Sequence, residues 1–279
     1  TGLADLDGIK PTEGGGLMIG AGVRNSDLAV DRRLRSDWPL VARALLTGAS
    51  GQIRNMATVG GNLLQRTRCA YFQDVTKPCN KRVPGSGCPA REGDHRNLAI
   101  LGASPACIAT HPSDLAVALA AADATVHVTE PGGTRAIPLV GLYRLPGDTP
   151  DRETDLAHGA LITAVELPPL PFARTSTYRK VRDRASFAFA VASVAAAIDV
   201  QDGAVRDVRL ALGAVAPKPW RALVAEELLR EGPATPEAFR AAIAAELDAA
   251  DPLPHNAFKL PLVSNLVTRT LSTLAGVDR

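Results

Sequence analysis

All four cysteines of this chain fall in one short window, at Cys69, Cys79, Cys88 and Cys107, with the spacing C-x9-C-x8-C-x18-C. Four thiols scattered over 279 residues would rarely gather so closely, so one segment brings them around one object. Three objects are compatible with that: an iron–sulfur cluster, a zinc ion, or a pair of disulfides. Structural zinc usually takes close C-x2-4-C pairs from tight turns, and no such pair exists here. Disulfide frameworks belong to small secreted domains, whose cysteine density this chain lacks. A cubane cluster accepts four widely spaced thiolates when loops converge on it.

The charge around the thiols suits an anionic guest. Between Arg66 and Arg96 there are seven Lys and Arg (Arg66, Arg68, Lys77, Lys81, Arg82, Arg91, Arg96) against three Asp and Glu, while the whole chain carries only +2. Positive side chains near a cluster with four thiolates would offset its negative charge and raise its reduction potential. A solvated basic loop with free cysteines is the simpler alternative. His95 and His111 lie near the thiols as possible ligands, although a loop residue and a turn residue before Pro112 explain them as well.

Just upstream, Thr58-Val59-Gly60-Gly61-Asn62 reads as a turn whose amides can face outward. Glycines admit close approach, so successive N–H groups can form a concave nest for a pyrophosphate, with Thr58 and Asn62 adding donors. A structural hairpin is the competing view, and the pattern is not G-x-G-x-x-G.

QIRNMATVGGNLLQ, CNKRVPGSGC, ATHPSDLAVALAAADATV and YRKVRDRASFAFAVASVAAAI together resemble the FAD-binding subunit of the molybdenum hydroxylases, the xanthine dehydrogenase family. The likeness covers nearly all of the chain and is closest to the aldehyde oxidoreductase branch, whose flavin subunit holds an additional [4Fe-4S] cluster. The resemblance implies an α+β chain: a PCMH-type FAD-binding domain over 1–170, with a cysteine-rich insertion at about 66–107, then a C-terminal domain over 171–279. That second domain resembles the CO dehydrogenase flavoprotein, with a three-stranded antiparallel sheet and three helices. It further implies that Thr58, Gly60, Gly61 and Asn62 hold the FAD pyrophosphate and that Ile53 lies near the flavin ring. Asp114 would bind a ribose or ribityl hydroxyl, although Ser113 and Asp114 also suit a helix cap. Lys180 would stand near the isoalloxazine, where a cation stabilises the reduced anion. Cys69, Cys79, Cys88 and Cys107 would ligate the cluster. Members of the family begin with a further segment that carries a first glycine-rich flavin loop; the chain starts downstream of it at TGLADLDGI, which is read as a fragment of a longer subunit.

The implied function is an electron-transfer subunit without catalytic residues for the organic substrate. The implied partners are a molybdenum-cofactor large subunit, a [2Fe-2S] small subunit and an external electron acceptor, in the cytoplasm or carried to the periplasm with a partner. The rival reading is a zinc-stabilised interaction module that binds an anionic partner through the basic cysteine loop. A third keeps the family but not the flavin.

Composition sets further bounds. A chain with 46% hydrophobic residues can bury a sizeable core and make two domains. With 4% aromatics and near-neutral charge, it lacks the broad basic, stacking surface of a nucleic-acid binder. The longest apolar run, Phe187 to Ile198, is too short to cross a bilayer of about 30 Å. LMIGAGV reads as strand and SDWPLVARALLTGA as helix. ATVHVTE and TRAIPLV read as a hairpin with a three-to-five-residue turn around Pro131-Gly132-Gly133. Pro168-Pro169-Leu170-Pro171 marks the domain boundary. The Ala-rich run before Gln201-Asp202-Gly203 reads as a strand paired with AVRDVRLALGAV, and three helical segments complete the chain.

Overall fold

The structure is a computed structural model that describes residues 6–277. The start of the chain at Thr1 to Asp5, where its junction with any flavin loop would lie, is outside the described residues.

The first unit holds strands β1 (Ile9–Pro11), β2 (Leu17–Gly20), β3 (Thr125–Glu130), β4 (Gly133–Pro138) and β5 (Leu161–Leu167). They form an antiparallel sheet in the order β1-β2-β5-β3-β4. Its helices are α1 (Asn25–Val30), α2 (Arg32–Asp37), α3 (Pro39–Thr47), α4 (Gly51–Met56), α5 (Val59–Leu63), α6 (Ala70–Gln73), α7 (Asp114–Ala121) and α8 (Leu139–Leu142). The second unit holds β6 (Ser176–Val181), β7 (Ala192–Gln201), β8 (Ala204–Gly213) and β9 (Trp220–Arg221), followed by α9 (Leu223–Leu229), α10 (Pro236–Leu247) and α11 (Lys259–Ala275). All pairings are antiparallel, as an α+β chain requires.

Several boundaries differ from those the sequence suggests. The C-terminal sheet has four strands rather than three, because Trp220 and Arg221 pair with Leu212 and Ala211. The single helix expected over SDWPLVARALLTGA is split at Trp38, since Pro39 has no N–H to continue α2 and instead begins α3. The β3–β4 hairpin closes through two residues, Pro131 and Gly132, rather than three to five, with Glu130 opposite Gly133. In β7–β8 the two-residue turn has positive φ at both Asp202 (52°) and Gly203 (77°), the conformation that twists with the strands.

The middle layer explains the alanines. Ala192 to Ile198 of β7 are buried without interruption. Ala195 and Ala211 join Tyr178 in the core that contains α3 and α7, while Val194, Ala196, Ile198 and Leu210 face the core of α10 and α11. A strand covered on both faces by helices must be apolar throughout, and small side chains let those helices approach closely. Helix α7 is likewise buried from Leu115 to Ala121, packed against β7 and β8 and against α3, α5 and α8. The N-termini of α7 and α5 are thereby held at the junction of the units.

Candidate functional site

Helix α5 is a short helix rather than an open turn. The Thr58 hydroxyl caps it by accepting from Gly61 N at 3.2 Å, and the apolar Val59 and Leu63 anchor it in the core. Gly60 lies against β2's exit: a Cβ there would stand 3.1 Å from Ala21 Cβ and 3.3 Å from Ala21 O. The free nest of amides suggested by the sequence is not formed, because Val59 N donates to Val23 O, Gly60 N to Ala21 O and Asn62 N to Thr58 O.

The cap of α7 is Ser113, whose hydroxyl oxygen accepts from Ala116 N at 2.9 Å and whose hydroxyl donates to Asn62 Oδ1 at 2.7 Å. That bond ties α5 to α7 and leaves the Asp114 carboxylate available for other partners. Asp114 Oδ2 accepts from Lys180 Nζ at 2.7 Å, with both side chains nearly buried, and Oδ1 accepts from the Tyr178 hydroxyl. Burial, with the Asp114 charge second, holds the Tyr178 phenol well above its ordinary range, so it stays a neutral donor.

Ile53, Asn62, Asp114 and Lys180 line one cavity of about 310 Å³. Thr58, Gly60 and Gly61 stand on the preceding turn of the same short helix, outside the lining. Residues that the sequence reading missed complete the wall: Asn25, the segment Thr47 to Ala49, Arg54, Arg68, Arg182, Phe187 and Phe189. Among the described residues the buried Asn25 Oδ1 has no hydrogen-bond partner, which suits a ligand that can donate. Exposed Ile53 and Phe187, with Phe189 half in solvent, supply apolar surface for a flat ring. Phe187 and Ala49 hold left-handed backbone at φ 53° and 50°, a conformation that side chains rarely adopt and that clusters at functional sites. An apolar, polar and cationic wall of this kind fits a flavin nucleotide.

The four cysteines line a second, much smaller cavity together with Tyr71, Phe72, Ala90, Ile108 and Ala109. None is disulfide-bonded. Cys69, Cys107, Leu98 and Ile108 form a separate apolar cluster, and burial pushes the Cys107 thiol up to about 11 and raises that of Cys69. Among the described residues no group of three or more His, Cys, Asp or Glu is placed to hold a single metal ion.

Three of the basic residues of this segment, Lys81, Arg82 and Arg91, donate to backbone carbonyls. Arg82 donates to the carbonyls of Tyr71, Phe72 and Lys77, and Arg91 to that of Ser104. Lys81 is the buried cation beside the thiols; it pairs with Glu153 at 2.9 Å and donates to Pro150 O at 2.9 Å. Arg66 also pairs with Glu153. Neither histidine lines the thiol cavity. His95 stacks on His255 with ring centroids 4.5 Å apart, and burial lowers His111 to about 4, leaving it a neutral ring edge-on to Tyr143.

Comparison with known proteins places these features in context. Residues 1–170 match the FAD binding domain in molybdopterin dehydrogenase, and residues 176–274 match the CO dehydrogenase flavoprotein C-terminal domain. The chain is 57% identical over 227 residues to the aldehyde oxidoreductase FAD-binding subunit PaoB of Escherichia coli, covering 81% of this chain and 70% of that protein. It is 30% identical to the glyceraldehyde dehydrogenase medium chain of Sulfolobus acidocaldarius, covering 81% of this chain and 62% of that one. A solved carbon monoxide dehydrogenase from Hydrogenophaga pseudoflava shares the fold, with a TM-score of 0.72 at 23% identity over 98% of this chain and 79% of the other.

Proposed function

The chain belongs to the FAD-binding subunits of the molybdenum hydroxylases, and we propose that it carries FAD and a [4Fe-4S] cluster in a molybdenum-dependent aldehyde oxidoreductase. The observation that carries the flavin reading is the convergence of Ile53, Asn62, Asp114 and Lys180, from four separate elements, on one cavity. When bound, FAD accepts electrons and passes them on; the protein binds and orients it and tunes its potential. Asn62 is held by Ser113, and Asp114 by Lys180 and Tyr178, so both face the cavity with fixed side chains. Thr58, Gly60 and Gly61 shape the short helix that presents Asn62.

The cluster reading rests on four thiols lining one cavity with no His, Asp or Glu among its other lining residues. Four corners of a multi-iron cluster spread their thiolates more widely than the tetrahedron of one zinc ion. The expected partners are a molybdenum-cofactor subunit that oxidises the aldehyde, a [2Fe-2S] subunit that relays electrons, and an external acceptor. The relative PaoB is an aldehyde oxidoreductase subunit, which supports the substrate class. Anaerobic addition of an aromatic aldehyde tests the division of labour: it should bleach the flavin absorbance of the assembled complex and leave that of this chain alone unchanged. Aldehyde oxidation by the isolated polypeptide would refute the assignment.

A further inference from the structure

The flavin-type cavity carries more positive charge than its one acid neutralises. Lys180 is paired with Asp114. Arg182 Nη1 donates to Thr47 O at 3.3 Å, and Arg54 Nη1 donates to Gly48 O at 2.7 Å and Ala49 O at 3.0 Å. These carbonyls lie at the C-terminal end of α3, whose partial negative charge orients both guanidiniums and offsets their charge less than a carboxylate would. Among the described residues neither arginine has a carboxylate within ion-pair distance. The acid next to Arg182 is drawn away, since Asp183 forms a two-pronged pair with Arg96. Arg68, the third guanidinium of the wall, lies over the Phe189 ring at 5.2 Å.

We propose that Arg54 and Arg182, rather than Lys180, supply the net positive potential that makes this cavity prefer a reduced flavin to an oxidised one. The inference rests on the flavin reading of the cavity. Taking up two electrons and one proton leaves a flavin with one added negative charge. A cation whose charge is already matched by a neighbouring carboxylate contributes little field at that distance, whereas Arg54 and Arg182, half-buried and without a carboxylate partner, keep most of theirs, and solvent screens the exposed Arg68.

The test is a spectroelectrochemical titration of the assembled complex, with flavin content measured first. Arg54→Gln and Arg182→Gln should each weaken the preference for reduced flavin by on the order of tenfold, a downward shift of about 30 mV for a two-electron couple. The matching Arg→Lys variants keep the charge and should titrate with the unmutated complex. Flavin-loaded glutamine variants with an unchanged potential would overturn the proposal. Should a glutamine variant shed its flavin, the lysine variant decides: an unchanged potential supports charge as the cause, and a fall of the same size overturns it. An unmutated complex that holds no flavin removes the cavity reading, and this inference with it.

Discussion

The two candidate cofactor sites are built in opposite ways. The flavin-type cavity stands on helix termini and a strand: Asn62 on α5, Asp114 on α7 and Lys180 on β6, each fixed by a partner within the chain. The thiol cavity is built from Cys69 and the single turn of α6 with the largely irregular chain that follows it, held together by side chains that reach backbone carbonyls. A site on regular elements keeps its shape through the core beneath it, while a site on irregular chain depends on its clamps and on whatever bridges its thiols.

The strongest way to break that contrast is Cys88→Ser. Iron assigned to this chain after the subunits are separated should fall from about four to near zero, as loss of one ligand of four predicts, with flavin content kept. Equal loss of flavin, measured on the same sample, would show that the first site leans on the second.

Next in size is the clamp at Lys259. Its fully buried ammonium donates to Leu98 O and Ala214 O, joining the cysteine segment to the C-terminal unit. Burial, then Arg96, lowers Lys259 from 10.5 to about 7. The unfolded chain keeps that proton up to its ordinary value, while the folded chain releases it near 7. Stability should therefore rise as pH climbs through that window. Denaturant titrations of the wild type at several pH values should show that rise, by up to a few kcal/mol, and Lys259→Met should flatten it. A wild-type curve without slope over the window would contradict the burial of this charge.

Two smaller effects sharpen the flavin side. Gly60→Ala should cost about 1–3 kcal/mol by overpacking against Ala21, and flavin content should drop with it. Ser113→Ala removes the α7 cap and the bond to Asn62, costing about 1 kcal/mol in chemical denaturation. A Ser113→Ala protein with unaltered stability would mean that the α5–α7 tie is dispensable.

The legibility of the two regions in the sequence follows the same contrast. The hairpin at Asp202-Gly203 and helix Pro236–Leu247 announce themselves through local turn and capping chemistry. Helix α5 does not, because two glycines weaken its propensity and its stability comes from Val59 and Leu63 in a core made elsewhere. Asn62, Asp114 and Lys180 were reached through the family likeness, yet the pairing of Asp114 with Lys180, 66 residues apart, has no local signal. Arg54 and Arg182 look like ordinary surface cations in the sequence; only the fold places them side by side on consecutive carbonyls, Arg182 on Thr47 O and Arg54 on Gly48 O and Ala49 O. The strand order β1-β2-β5-β3-β4 is also invisible locally, because β5 enters between β2 and β3 after a long excursion.

The most direct test of the account is to quantify flavin, iron and acid-labile sulfide in one anaerobically purified sample of the complex and to assign them to this chain after the subunits are separated. The account predicts one flavin with about four irons and four sulfides. Zinc in place of iron, or a chain that carries neither iron nor flavin, would contradict it.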